Sequence, residues 1–381
     1  MRKIDCRLIR CDPIRDEHAC GLLQMEHSVP PEILYSAYWY RSGTNATMRN
    51  HLQEISESAR EMVDKDQAVV LDIGCNDGTL LKNYPEDYAR YGVDPSDVAA
   101  SIQGDIRVFQ DLFPSQELEQ ALGSTQFDII TSIAMFYDLE DPVSFCRAIS
   151  ARLEQNGIWI IEMSYMPMML EMISYDTICH EHLEYYSLAV IENIMERAGL
   201  KVVRAQLNNI NGGSLRCYIT HKTSFKYKNE DWAQTLVELR QKEFDLELDT
   251  DKPYRHFQDQ INAHREELRR TIIDFKKQGK TIHIYGASTK GNTILQWCGI
   301  DHSLIDYAAE RNPDKFGALT IGTDIPIISE EDSRAMNPDF YLVLPWHFQD
   351  EFIEREKEML KKGTGMIFPI PDVRVVTADD V

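Results

Sequence analysis

Residues 68–79 read Ala-Val-Val-Leu-Asp-Ile-Gly-Cys-Asn-Asp-Gly-Thr, an apolar run that passes directly into a turn with two glycines. The run predicts a buried strand, and Gly74 and Gly78 allow a tight turn and a close approach of the backbone to a ligand. A helix after such a turn presents free N–H groups at its first residues. Asp94 ends the next predicted strand, where a carboxylate can accept both hydroxyls of a ribose. The stretch therefore predicts an α/β unit that begins with a ligand-binding turn.

After this turn, apolar strands alternate with helical patterns. Further strands are predicted at 91–96, 127–133, 157–164, 215–220, 281–287 and 339–346. Such alternation predicts parallel sheets with helices on both faces. Between the two groups of strands, apolar residues recur at helical spacing from Phe257 to Phe275, after Pro253 and before Gly279, which predicts one long helix.

The chain has 381 residues, with 40 Lys and Arg against 62 Asp and Glu, which gives a formal charge of −22. This length accommodates two or three domains. We divide it into a small N-terminal module (1–45), an α/β core (46–205) and a C-terminal α/β domain (206–381). A protein with this negative charge repels a phosphate backbone, and we therefore do not expect nucleic acid to be a partner.

No apolar run approaches the ~20 residues that a membrane span needs, and the first residues lack the apolar core of a secretory signal. We therefore expect a cytoplasmic protein, a monomer or a homodimer, with no membrane partner. In that compartment the eight cysteines are thiols or metal ligands rather than disulfides.

The glycine turn has the form D-x-G-x-x-x-G and not the G-x-G-x-x-G of dinucleotide-binding proteins. With an acid at the end of the next strand, this form resembles the class I methyltransferases that use S-adenosylmethionine. Asp72 and Asp77 beside the turn suit a cationic sulfonium better than a phosphate. The alternative is a glycine turn needed only for packing a strand on a helix. The residues predicted to bind the cofactor are Asp72, Gly74, Asn76, Gly78, Asp94 and Asp111.

Residues 174–188 contain Cys-His-Glu-His at 179–182, which is not the H-E-x-x-H of a zinc protease. If the segment is extended, His180 and His182 lie on one face. A histidine beside Glu181 can serve as a general base near neutral pH. The alternative is a pair of surface or helix-capping histidines.

Seven segments, spread in order over nearly the whole chain, resemble the sugar C-methyltransferases, which methylate C3 of nucleotide-linked 4-keto-deoxysugars. They are residues 29–44, 71–81, 175–188, 211–218, 284–300, 308–317 and 342–348. The resemblance implies a class I methyltransferase Rossmann-like core, a small zinc-binding N-terminal module and a second, C-terminal Rossmann-like domain. It also implies S-adenosylmethionine as the cofactor and a nucleotide-diphosphate sugar as the substrate.

In that family the second histidine of the run is the base that takes the proton from C3, which makes His182 the expected base. The catalytic residues predicted from the resemblance are His182, Glu181, His180, Tyr38, Asp138 and Cys179. Three of the positions around the sugar differ from the family, since Cys179 replaces a tyrosine and Asp138 and Asn211 each replace a histidine. These differences leave open O-methylation on the same fold, and also a nucleotide-sugar-binding protein without activity.

A second glycine-rich turn, residues 286–293, departs from a P-loop at one residue, because Asn292 stands where the lysine would be. ATP hydrolysis is therefore not expected, although the turn can bind a phosphate through backbone N–H groups at a helix start. The resemblance assigns it to the nucleotide diphosphate, and the alternative is a turn kept for packing. The residues predicted to bind the substrate are Tyr40, Asn211, Ser288, Lys290, Asn292 and Arg311. His347, which follows Pro345 and Trp346, is a further expected ligand contact.

The N-terminal module carries Cys6, Cys11, His18 and Cys20, a set of ligand types that can hold a tetrahedral zinc ion. The resemblance implies a structural zinc here, but the spacing is not the usual one. The alternative is a degenerate module with free thiols.

Overall fold

The computed structural model describes residues 4–16, 18–30, 33–34 and 40–381. Its described strands form three sheets, of which one is small and two are large. The small sheet joins the N-terminal residues to the segment after His182, and each large sheet is the centre of one α/β unit.

The first part of the chain supplies the small sheet and the first large sheet. Its strands are β1 (Leu8–Arg10), β2 (Leu23–Met25), β3 (Val69–Ile73), β4 (Ala89–Val93), β5 (Ile106–Phe109), β6 (Phe127–Ile133), β7 (Leu153–Ser164), β8 (Glu184–Tyr185), β9 (Leu200–Asn208) and β10 (Ser214–His221). Its helices are α1 (Ala46–Val63), α2 (Gln116–Leu122), α3 (Pro142–Arg152), α4 (Met166–Glu171), α5 (Leu188–Arg197) and α6 (Glu230–Asp245).

Seven of the described strands form the first large sheet, in the order β5-β4-β3-β6-β7-β10-β9. The strands are parallel except β10, which runs antiparallel to both of its neighbours. The strand order reverses between β3 and β6, and ligands of such sheets bind outside the carboxyl ends of the strands at that point. By its strand pairing this unit runs on to His221, beyond the division that we predicted at residue 205.

The central strands are buried on both sides, as parallel strands covered by helices must be. In β6 the residues Phe127 to Ser132 are all buried. Asn45 caps the start of helix α1, because its side chain accepts a hydrogen bond from the amide of Thr47. The helix buries Ile55 and Ala59 in the core.

The last part of the chain forms the second unit. Its helices are α7 (Lys252–Lys277), α8 (Thr289–Cys298), α9 (Glu330–Ala335), α10 (Gln349–Arg355) and α11 (Lys357–Lys361). Its strands are β11 (Ile282–Tyr285), β12 (Tyr307–Glu310), β13 (Ile327–Ser329), β14 (Phe340–Val343), β15 (Gly365–Phe368) and β16 (Arg374–Val376). They pair in the order β13-β12-β11-β14-β15-β16, parallel except for β16. The predicted pair of doubly wound α/β units is therefore confirmed.

The two units share a hydrophobic core. Helix α7 buries the face that its sequence period predicts, from Phe257 to Ile272, and this face belongs to the same apolar cluster as strands β11 and β14. The cluster also includes Met169, Tyr175 and Ile178 of the first part of the chain. Residues 166–178 are therefore packed against the second unit. Within the described ranges, no helix has both the length and the apolar character that a membrane crossing requires.

Candidate active site

A cavity of about 800 Å³ lies between the two units, at the carboxyl ends of the first sheet. From the first unit it is lined by the residues that follow β3, β4, β5 and β6. From the second unit it is lined by residues 288–290 and by the segment around Pro345. A cavity of this size and position is typical of a ligand site of an α/β sheet.

The first glycine turn lines one side of this cavity. Gly74 has a φ of +75°, and its amide donates to the carbonyl of Val93 at 2.8 Å. A Cβ at Gly74 would lie 3.1 Å from the side chain of Met135, so both conformation and space favour glycine. Gly78, which we predicted to bind the cofactor, does not line the cavity. It has a φ of +73° and packs against Ile102.

The three predicted carboxylates of the cofactor site all line the cavity. Asp94 is buried and accepts hydrogen bonds from the amides of Asn76 and Ser96, both at 2.8 Å. Asp72 accepts a hydrogen bond from the hydroxyl of Thr131 at 2.6 Å, and burial raises its pKa to about 7. Asp111 accepts from the amide of Leu112 at 2.7 Å. The carboxylates are thus fixed in orientation by donors of the protein itself.

Asn76 also lines the cavity, but its side chain binds the protein. Its Oδ1 accepts from the amide of Ser42 and its Nδ2 donates to the carbonyl of Tyr40, both at 3.0 Å. Asp77 accepts from the amide of Gly43 at 2.8 Å. These bonds hold residues 40–43 against the glycine turn, and Tyr40 lines the cavity there as predicted. Tyr38, which we predicted to be catalytic, lies outside the described residues.

His182 is buried and lines the same cavity. Its Nδ1 lies 2.8 Å from the carbonyl oxygen of Thr177, and its ring centre lies 4.3 Å from that of Tyr137. A carbonyl oxygen only accepts hydrogen bonds, so Nδ1 carries a proton. Burial, together with the positive charge of Lys290, lowers the pKa of His182. The ring is therefore neutral near pH 7, and Nε2 is its basic nitrogen.

Three further residues predicted to be catalytic, Asp138, Cys179 and Glu181, line the cavity beside His182. Burial raises the pKa of Glu181, and it raises that of Cys179 to about 12, which keeps Cys179 a thiol. His180 does not line the cavity. The segment is not extended, because a turn closes with the hydrogen bond from the amide of His182 to the carbonyl of Cys179. The prediction that the two histidines share a face was wrong for that reason.

The second unit supplies the opposite wall. Ser288 caps helix α8 by accepting a hydrogen bond from the amide of Gly291, and Lys290 Nζ donates to the carbonyl of Asn211 at 3.1 Å. Ser288, Lys290 and Asn211 line the cavity. Two residues predicted to bind the substrate, Asn292 and Arg311, do not line it. Arg311 instead pairs with Glu330 at 3.1 Å on the surface.

The charges on the two walls differ. The carboxylates that line the cavity are Asp72, Asp94, Asp111, Asp138, Glu140, Asp141, Glu162 and Glu181, all from the first unit. Among the described residues of the second unit that line the cavity, none is acidic and Lys290 is basic. The wall of the first unit therefore suits a cation, and the wall of the second unit suits an anion.

Of two further residues, sequence reasoning expected His347 as a ligand contact but missed Glu162 as a residue of the cavity. His347 lines it after β14, and burial lowers its pKa to about 3, so that it is a neutral ring. Glu162 near the end of β7 accepts hydrogen bonds from His51, at 2.5 Å, and from Arg216, at 2.7 Å. Burial opposes the ionisation of Glu162, but these two partners outweigh it, and its pKa lies below the usual value. Its position, an acid near the carboxyl end of a predicted buried strand, was the sequence signal that could have identified Glu162 as a residue of the site.

The predicted zinc site is not supported. Cys6 Sγ lies 3.7 Å from His180 Nδ1, whereas Cys11 Sγ accepts a hydrogen bond from the amide of Cys20 at 3.4 Å, and His18 is exposed. Across residues 4–16, 18–30, 33–34 and 40–381, no three His, Cys, Asp or Glu side chains come together as metal ligands. Cys6, Cys11, His18 and Cys20 therefore do not form the tetrahedral set that their ligand types suggested.

The two units match two described protein families. Residues 40–205 match the methyltransferase domain, and residues 209–371 match the C-methyltransferase C-terminal domain. The C-methyltransferase NovU of Streptomyces niveus is 28% identical over 369 residues, which cover 94% of this chain and 86% of that protein. The match of residues 40–205, together with the strand order of the first large sheet, identifies the class I S-adenosylmethionine-dependent methyltransferase fold with its Rossmann-like sheet.

Two other similar proteins overlap with smaller parts of the chain. The ubiquinone biosynthesis O-methyltransferase of Histophilus somni (strain 2336) is 32% identical over 117 residues, which cover 28% of this chain and 48% of that protein. The crystal structure of magnesium protoporphyrin IX methyltransferase from Synechocystis PCC 6803 with bound SAH is 14% identical. It has a TM-score of 0.37 and covers 47% of this chain and 88% of that one.

Proposed function

Because the chain is an S-adenosylmethionine-dependent methyltransferase with a C-methyltransferase C-terminal domain, we propose that its acceptor is a carbon beside a ketone in a nucleotide-linked sugar. His182 is the base in this proposal. The observation that carries it is the 2.8 Å hydrogen bond from His182 Nδ1 to the carbonyl of Thr177, inside the cavity that also contains the glycine turn. That bond leaves Nε2 as the nitrogen that can accept a proton.

S-adenosylmethionine fits the residues with which the first unit lines the cavity. Gly74 has no side chain where a Cβ would meet Met135, and Asp94 is held in place by two backbone amides. Asp94 is the acid for the ribose hydroxyls, and Asp72, two residues before Gly74, is a second acid that lines the cavity. When bound, the cofactor supplies a methyl group on a positively charged sulfur, which becomes a neutral sulfide after transfer.

Base catalysis begins with a proton on the acceptor carbon. The neighbouring ketone makes that hydrogen acidic, because the electron pair left behind delocalises onto the ketone oxygen. His182 Nε2 takes the proton, and the pair forms an enolate whose carbon makes the new bond to the methyl group. The low pKa of His182 means that the ring is unprotonated before the step and returns its proton readily afterwards.

The charges on the cavity wall formed by the second unit support an acceptor with an anionic group. Lys290 lines the cavity at the first turn of helix α8, where backbone N–H groups favour an anion. A diphosphate at this wall would place the attached sugar toward His182. We therefore propose that the sugar is held through a nucleoside diphosphate bound at this wall.

O-methylation is the alternative that Asp138 and Cys179 left open. The match of residues 209–371 to a C-methyltransferase C-terminal domain does not favour it. In O-methylation the proton leaves an oxygen, so the hydrogens on the carbons beside the ketone stay in place. The two reactions are therefore distinguished by what happens to those hydrogens.

The test is exchange of hydrogen on the acceptor. The protein is incubated in deuterium oxide with a panel of nucleoside-diphosphate 4-keto-6-deoxyhexoses and with S-adenosylhomocysteine in place of the methyl donor. We expect the enzyme to incorporate deuterium beside the ketone, which mass spectrometry detects. When the methyl donor is added, that label should be lost, because the methyl group takes the place of the exchanged hydrogen. A methylated product that keeps its original hydrogens at both carbons beside the ketone would show that the acceptor atom is oxygen.

A further inference from the structure

The segment Tyr175–His182, here called the base segment, is packed between the two units. Its first residue is anchored to the second unit, because the hydroxyl of Tyr175 lies 3.1 Å from His264 Nδ1. His264 Nε2 faces the carbonyl of Pro369, so Nε2 carries the ring proton and Tyr175 donates to Nδ1. Further along, the carbonyl of Ile178 accepts a hydrogen bond from the hydroxyl of Thr293 at 3.4 Å.

The central contact joins Asp176 to Trp346. Both residues are buried, and the indole Nε1 of Trp346 donates to Asp176 Oδ2 at 2.9 Å. The other oxygen, Oδ1, is buried with no hydrogen-bond partner among the described residues. Trp346 also packs on the turn between β9 and β10, where a Cβ on Gly212 would lie 3.2 Å from the indole ring. One indole therefore contacts the first unit at two places.

We propose that Trp346 and Asp176 are positioning residues, through which the second unit fixes the base segment so that His182 faces the cavity. The inference rests on the proposed function only in taking His182 as the base. It gives the C-terminal unit a role in catalysis that does not depend on its holding any part of the acceptor.

The backbone of the base segment explains why it needs an external support. After the short 3₁₀ helix Tyr175–Thr177, the chain makes a turn at residues 179–182 and pairs with none of the described strands until β8. The carbonyl that holds His182 belongs to Thr177, the residue next to Asp176. A shift of Asp176 therefore moves the group that orients the base, and a base must be held within about 0.5 Å of its working geometry.

The experiment compares two tryptophans of the second unit. Trp346→Phe removes the indole N–H that crosses between the units, whereas Trp297→Phe removes an indole N–H that donates to Ile261 within the second unit. Hydrogen–deuterium exchange is measured on the full chain without acceptor. We expect exchange of the amides of residues 175–183 to become about tenfold faster in Trp346→Phe and to stay unchanged in Trp297→Phe.

Two substitutions of Asp176 separate the hydrogen bond from the packing. Asp176→Asn keeps an oxygen that can accept from Trp346, so the base segment should remain as protected as in the wild type. Asp176→Ala removes the acceptor, so this variant should match Trp346→Phe. Equal protection in all variants, or equal loss in the two tryptophan variants, would overturn the proposal.

A second readout follows His182 itself, through exchange of its ring C2 hydrogen as a function of pH. The charged groups that face this ring are Asp138 after β6, Lys290 of α8, and Asp176 and Glu181 of its own segment. Loosening the segment admits water, so the exchange midpoint of His182 should rise in Trp346→Phe toward that of an exposed histidine and stay fixed in Trp297→Phe. Neither readout uses an acceptor, and so failure of the proposed acceptor would leave both results intact.

Discussion

The Nδ1 atom of His182 lies 2.8 Å from the carbonyl oxygen of Thr177, five residues earlier in the same segment. This one contact decides the tautomer of the ring, because the carbonyl can only accept. It also places the basic nitrogen, Nε2, on the other edge of a ring that lines the cavity. The neighbouring histidine, His180, instead contacts Cys6 and lies away from the cavity.

His182→Ala should lower the rate of methyl transfer by a factor of about 10² to 10⁴, the usual contribution of a positioned general base. Because His182 is not among the residues of the first glycine turn, the affinity for S-adenosylmethionine should change little. The rate is measured as formation of S-adenosylhomocysteine, and the affinity by calorimetry.

The matched control is His180→Ala, which removes the same ring two residues away. Its rate should stay within a few-fold of the wild type. If His180→Ala is the variant that loses turnover and His182→Ala keeps it, then His182 is not the base.

Binding of S-adenosylmethionine should tighten as the pH rises through about 7. Burial raises the pKa of Asp72 to about 7, so its carboxyl is neutral below that pH and ionised above it. A cationic ligand favours the ionised form, and its binding therefore releases a proton at lower pH. The measurement is calorimetric titration between pH 6 and pH 8 in buffers of different ionisation enthalpy.

The control ligand is S-adenosylhomocysteine, which lacks the sulfonium charge and should show a weaker pH dependence. Asp72→Asn should remove the difference between the two ligands. A pH dependence that is equally strong for both ligands, and survives in Asp72→Asn, would assign the effect to another group.

Asn76 should matter for both stability and donor binding, because its side chain ties residues 40 and 42 to the glycine turn. Asn76→Ala loses these bonds, at a cost of about 1–3 kcal/mol in the free energy of unfolding. Asn76 also has a φ of +49°, where alanine adds a further cost of about 1 kcal/mol. Asn76→Gly loses the bonds without that second cost.

The two variants should therefore weaken donor binding equally, while Asn76→Gly unfolds at a higher denaturant concentration than Asn76→Ala. Chemical denaturation and calorimetry measure the two effects on the same samples. Donor affinity that recovers in Asn76→Gly would mean that backbone conformation at the turn, and not the tie to residues 40 and 42, sets the affinity.

Most of the fold could be predicted from the sequence because it depends on local patterns. Residues 127–133 were predicted as a strand and form β6 with the same bounds, and the apolar period from Phe257 to Phe275 predicted the buried face of α7. The end of the first unit could not be placed in this way. Strand β10 joins the sheet antiparallel to β7, and such pairing depends on long-range contacts that a local pattern does not contain.

The site shows the same division. The cofactor turn could be predicted because the residues from Asp72 to Gly78 are contiguous and their spacing has a physical meaning. The spacing of His180 and His182 alone did not separate their roles, and only the family resemblance made His182 the expected base. The structure separates them because a turn at residues 179–182 points the two rings in different directions. Arg311 was predicted to bind the substrate but pairs with Glu330, which lies 19 residues away in the sequence. No sequence motif predicts this ion pair.

Glu162→Gln should destabilise the protein by about 3 kcal/mol, because Arg216 is buried and loses one of its two carboxylate partners. Glu162 has a pKa below its usual value in the folded protein, so its ionised form adds stability above the unfolded pKa of about 4.3. That contribution is lost as the pH falls through the folded pKa. The difference in unfolding free energy between wild type and variant should therefore be largest near pH 7 and narrow below pH 4.

The control for this variant is Glu196→Gln, which removes a carboxylate from an exposed ion pair with Lys222. An exposed pair contributes about 0–1 kcal/mol, so this variant should unfold almost as the wild type does at every pH. Urea denaturation at several pH values measures both variants. If the deficit of Glu162→Gln stays constant from pH 7 to pH 3, then lost packing and hydrogen bonds account for it, and the charge of Glu162 does not hold the Arg216 network together.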